Sequence, residues 1–132
     1  MRREITFTAT QGRDKGKVFQ ITEMSATDAE DWALKVVFAL MNAGADIPEN
    51  LEEMGFSGVI SVGIGALGKI PYQVGKPILD DLLECVKAVP DIKKPNVTRR
   101  MVDEDIEEVL TRIQLRKAVF DLHVEALKPD AL

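Results

Sequence analysis

Ile5, Phe7 and Ala9 alternate with Thr6, Thr8 and Thr10, and further on Phe19 and Ile21 share a face opposite Val18, Gln20 and Thr22. A two-residue period is that of a half-buried strand, so the chain is expected to open with a β-hairpin over residues 4–23. The connecting Gly12-Arg13-Asp14-Lys15-Gly16 has glycine at both ends, where positive φ is easiest to adopt, and polar residues between them. A basic, solvated loop tip is the expectation for it.

After Ser25 the period lengthens. Ser25 can cap free amides, Asp28 and Glu30 suit the positive end of a helix, and Gly44 is the matching stop. Between them Trp32, Ala33, Leu34, Val36, Val37, Phe38, Ala39, Leu40 and Met41 wrap almost the whole circumference of a helix. That is more apolar surface than one contact face needs. Such a helix is either central in the fold or covered by a second chain.

Ile47-Pro48-Glu49-Asn50 reads as a linker, and residues 51–70 carry Gly55, Gly58, Gly63, Gly65 and Gly68. Each glycine inside a helix costs about 1 kcal/mol relative to alanine, so one or two short, weakly held helices are expected here. Pro77 then fits the opening of a further helix, with Ile78, Leu79, Leu82, Leu83, Cys85, Val86 and Val89 on its apolar side. Pro90 and Pro95 break the chain again. A last helix is expected over residues 102–127, its main stripe Val102, Ile106, Val109, Ile113, Phe120, Val124 and Leu127. Met101, Leu115, Val119 and Leu122 gather on nearly the opposite side. A helix with two apolar sides needs two things to cover it.

These elements predict an α+β fold that is mainly α: an N-terminal β-hairpin followed by about four helices over residues 26–127, in a compact bundle forming a single domain of 132 residues. The 45% hydrophobic content is enough for a core. The acidic residues number 22 against 17 Lys and Arg, for a net charge of -5, which argues against nucleic acid as a partner. Cys85 is the sole cysteine, so no internal disulfide forms and an intracellular setting is expected. Met1-Arg2-Arg3 runs into a strand pattern rather than the apolar stretch of a signal peptide, and no segment approaches the length of a membrane span.

Gly63-Ile-Gly-Ala-Leu-Gly68-Lys69 fits the phosphate-loop pattern up to the position after the lysine, where Ile70 replaces the Ser or Thr that would hold magnesium. The same glycines fit a dinucleotide fingerprint, but Pro71 interrupts the helix that should follow. His123 stands without a Ser, Cys or acidic partner at triad spacing. Asp103, Glu104, Asp105, Glu107 and Glu108 suit the first turns of a helix. No catalytic, cofactor-binding or metal-binding residue is therefore expected. The expected partner-binding surface is the second apolar side of the last helix, Met101, Leu115, Val119 and Leu122, flanked by Arg112 and Arg116.

The order Gly16-Lys-Val-Phe-Gln-Ile-Thr-Glu-Met24, Asp28-Ala-Glu-Asp-Trp32-Ala33, Ala43-Gly-Ala-Asp-Ile-Pro48, Val89-Pro-Asp91, Asp105-Ile-Glu-Glu-Val109 and Leu115-Arg-Lys-Ala-Val-Phe120 resembles the tail assembly chaperones encoded in phage and prophage tail operons. The similarity runs from Lys15 to Val124. It implies a non-enzymatic factor of the host bacterial cytoplasm that keeps the tape measure protein soluble, recruits tail tube protein and self-associates into a homo-oligomer. Related proteins are largely helical, and many are also made in a longer, frameshifted form. A structural tail or head component that stays in the virion is the nearest alternative, and a nucleotide-binding enzyme using residues 63–69 a distant one.

Overall fold

A computed structural model describes residues 2–44 and 69–126. The expected linker at 47–50, the glycine motif at 63–68 and Leu127 lie outside the described residues. The chain divides into two compact units, one of Ala26–Asp80 and one of Met1–Ser25 with Asp81–Leu132.

The hairpin forms as its alternation predicts. Strand β1 (Glu4–Thr8) pairs antiparallel with β2 (Val18–Thr22), Ile5 opposite Ile21 and Phe7 opposite Phe19, with the two phenylalanine rings 6.4 Å apart. The expected mixture of helix and sheet is present, with more sheet than the hairpin alone. Among the described residues the chain carries three α-helices beside a four-stranded antiparallel sheet in the order β1-β2-β3-β4.

The sheet grows from sequence expected to be helical. Strand β3 (Val86–Val89) takes two valines that had been counted on a helix face, and pairs with β2 through Phe19↔Ala88 and Ile21↔Val86. Val86, Ala88 and Val89 are buried while Lys87 is exposed. Leu82, Val86 and Val89 are compatible with a helical period, but Val86-Lys-Ala-Val89 is also a short β-branched run stopped by Pro90, and β2 offers it an unpaired edge. Strand β4 (Arg99–Arg100) closes the far side.

The last helix begins later than its apolar stripe implied. Residues Asp103–Asp105 form a separate 3-10 turn, and Ile106 is extended. Asp105 holds that turn by accepting from the Val102 amide at 2.7 Å and from both terminal guanidinium nitrogens of Arg99 at 2.6 and 2.7 Å. The acidic run therefore does not occupy the first turns of the helix, which spans Val109–Ala126.

In the other unit, α1 (Ala26–Asn42) follows Ser25 and ends before Gly44, whose φ of 82° supplies the left-handed stop that the sequence predicts. The helix expected to open at Pro77 instead spans Tyr72–Leu83 and carries that proline inside it. The proline at its opening is Pro71, whose carbonyl accepts the amides of Val74 and Gly75, both at 3.0 Å. This helix is α2, and Val109–Ala126 is α3. The indole N–H of Trp32 donates to the carbonyl of Ile78 at 2.9 Å, joining α1 to α2 one residue beyond the proline.

Candidate interaction surface

Helix α3 is tied at two points to the strand it serves. Asp14, just ahead of β2, receives the amides of Glu107 and Glu108, both at 2.9 Å, and the hydroxyl of Thr111 at 2.7 Å. Just past β2, the amide of Met24 donates to Nε2 of His123 at 2.9 Å, while Nδ1 of His123 lies 2.8 Å from the carbonyl of Val119. With Nε2 taken up as the acceptor of the Met24 amide, Nδ1 is the ring nitrogen left to donate to that carbonyl. The two ties lay α3 along β2 in the same direction. Its side bearing Leu115, Val119 and Leu122 is buried, as are Phe19, Ile21, Val86 and Ala88 on one face of the sheet.

The Asp14 cluster shows why the β1–β2 loop is more than a solvated tip. Gly12 has φ of 69°, and a Cβ placed there would meet Glu108 Oε1 at 3.1 Å, so glycine answers both the backbone turn and the close approach. Arg13 donates to Glu108 Oε1 from Nε at 2.9 Å and to the carbonyl of Glu107 from Nη2 at 2.9 Å. Lys17 reaches Asp14 Oδ1 at 3.0 Å. Asp14 is fully buried. Burial opposes its ionisation, but the Glu107 amide, the Thr111 hydroxyl, the Lys17 ammonium and the Glu108 amide outweigh that, and the carboxyl is held well below the usual carboxylate range. Glu108 is also lowered, chiefly by its bond from the Arg13 side chain. Glu107 and Glu108 are poor N-cap residues, and the carboxylate that fixes the approach to the helix comes from a loop more than ninety positions away. Sequence reading missed Asp14. Its signal was a helix lacking a Ser, Thr, Asp or Asn immediately ahead of Val109.

The assignment of Leu115, Val119 and Leu122 to a docking surface is corrected by their burial. Leu115 and Val119 are 0% exposed and Leu122 is 7% exposed, so these three are core, while Met101, Arg112 and Arg116 are half-buried around them. The main stripe is the less buried side of the helix, with Val109 and Ile113 exposed and Ile106, Phe120 and Val124 half-buried.

Helix α1 carries the larger exposed apolar feature. Leu34, Val37, Phe38 and Met41 recur at i, i+3, i+4 and i+7 and are exposed, Phe38 to 59%. Ala29, Trp32, Val36, Ala39, Leu40 and Ala43 follow the complementary spacing and are buried or half-buried. The apolar wrapping seen in the sequence thus resolves into one covered side and one open stripe.

Among the described residues no group of three His, Cys, Asp or Glu side chains is placed to hold a metal ion, and no helix is long and apolar enough to cross a membrane. Lys69, the lysine of the glycine motif, is exposed in a turn. No family model, curated protein or solved structure matches this chain.

Proposed function

We propose that the chain is a non-enzymatic protein-binding factor acting as a tail assembly chaperone in the host bacterial cytoplasm, where it keeps the tape measure protein soluble and recruits tail tube protein. The observation that carries the binding role is the open stripe Leu34, Val37, Phe38 and Met41 on α1. Four apolar side chains at this spacing match what an amphipathic helix of a partner buries, and leaving them in water is unfavourable by roughly 25 cal/mol per Å². The resemblance of the sequence to tail assembly chaperones supplies the identity of the partner.

The test is co-expression with the long helical tape measure protein of the same operon, followed by size-exclusion chromatography with light scattering. The reading expects the tape measure protein to be soluble only with this chain present and the two to co-elute at a defined ratio. It further expects Phe38→Glu to abolish co-elution. Failure of the wild-type pair to associate would reject it.

A further inference from the structure

The two edges of the sheet differ. β4 is two residues long and both are arginine, a short, cationic edge of the kind that resists pairing with another strand. β1 is five residues long, Glu-Ile-Thr-Phe-Thr, and pairs one-to-one with β2 without a bulge. It contains no proline, lysine or glycine to blunt it.

The hydrogen-bond phase of β1 is fixed by its flanks. The Glu23 amide bonds the Arg3 carbonyl and the Ala9 amide bonds the Lys17 carbonyl, each at 2.9 Å. Odd-numbered residues of β1 therefore bond to β2, and the backbone groups of Glu4, Thr6 and Thr8 point away from the sheet. All three residues are exposed, and among the described residues no strand pairs with that side.

We propose that this edge is the site at which a second copy of the chain adds its own β1, antiparallel, about a two-fold axis through Thr6. The strand is complementary to itself in that register. Thr6 meets Thr6 of the second copy, Glu4 meets Thr8, and Ile5 meets Phe7, so no like charges are opposed and the apolar residues fall together on one face. Outside the strand, Arg3 falls opposite Ala9 and Arg2 opposite Thr10, again without opposed charge. Three bonded pairs, Glu4 with Thr8, Thr6 with Thr6 and Thr8 with Glu4, form across the axis, about six backbone hydrogen bonds. Ile5 is exposed and Phe7 half-buried at the rim beside Phe19, and the added strand covers both. The two sheets then join into one.

Thr6→Pro isolates this claim, because it removes an amide that β2 does not use and proline is tolerated on an edge strand whose N–H faces solvent. Wild type and variant are compared by light scattering over roughly a hundredfold range of concentration. The expected result is a wild-type mass that doubles with concentration and a variant that stays at the monomer mass with unchanged circular dichroism. A wild type that remains monomeric throughout, or a variant that dimerises as the wild type does, overturns the proposal. Should the variant fail to fold, amide exchange of the wild type decides: Glu4, Thr6 and Thr8 become protected as concentration rises, while Ile5 and Phe7 are protected throughout. Exchange of the first three that is independent of concentration overturns it. Loss in the variant of co-elution with the tape measure protein, alongside a monomeric wild type, also overturns it, by assigning the edge to a strand from that protein. Phe38→Glu tests the partner reading separately, since it lies on α1 rather than on this edge.

Discussion

The hydroxyl of Thr111 donates to Oδ2 of Asp14 at 2.7 Å, joining a loop near the start of the chain to a helix 97 residues later. Both groups are buried. Each carboxylate oxygen takes two donors: Oδ1 the Glu107 amide and Lys17, Oδ2 the Glu108 amide and Thr111. A buried acceptor so fully used is costly to replace, because the buried Thr111 hydroxyl and the part-buried amides of Glu107 and Glu108 lose their partner with it.

Asp14→Asn turns an acceptor oxygen into an amide that faces two of these donors, and is expected to lower stability by about 3 kcal/mol. Thr111→Val removes one donor and should cost about 1–2 kcal/mol. Because the two share a bond, the double variant should fall short of the sum. Urea unfolding of the full chain measures all three, and an Asp14→Asn midpoint equal to wild type would show that the cluster is not holding α3.

The same cluster gives the acid limb of stability a direction. Folding lowers the Asp14 carboxyl below its ordinary 3.8 and Glu108 below its ordinary 4.5. The unfolded chain therefore binds more protons as pH falls, so the contribution is complete above about pH 5 and is lost progressively as pH drops through the ordinary carboxylate range. The urea midpoint of wild type should fall on going from about pH 6 to pH 3, and that of Asp14→Asn should fall by less. Parallel slopes for the two proteins would remove Asp14 from the account.

Charging the two helices should give opposite results. Phe38→Glu or Met41→Glu places a carboxylate on the open stripe of α1 and should leave the fold intact, with changes within about 0.5 kcal/mol. Leu115→Glu or Val119→Glu buries an unpaired charge and should cost more than about 4 kcal/mol, enough to unfold the unit that holds it. Circular dichroism with thermal melts distinguishes them, and a folded Leu115→Glu would restore the docking role first expected for that side.

The hairpin and α1 were legible in the sequence because each rests on a local pattern: the alternation from Ile5 to Ala9, and the span from Ser25 to Gly44. What escaped depends on distant partners. Val86 and Val89 fit a helix by spacing, and only the vacant edge of β2 makes them a strand. Leu115 and Val119 were separated correctly from Ile113 and Phe120, yet periodicity reports that a helix has two sides and not which one meets the sheet. That choice follows from Asp14 and His123, which anchor α3 at its two ends. A lone aspartate in a polar loop and a lone histidine carry no local mark of such a role.

Because one unit is assembled from the first 25 residues and the stretch beyond position 80, its hairpin is made long before the helix that covers it. The loop carrying Asp14 can form early, but its two amide partners and Thr111 arrive only 93 to 97 positions later. Closure of so long an interval is slow compared with local helix formation. During that interval Phe19 and Ile21 have no α3 to cover them. The sheet begun by the hairpin is therefore completed only when its last helix arrives.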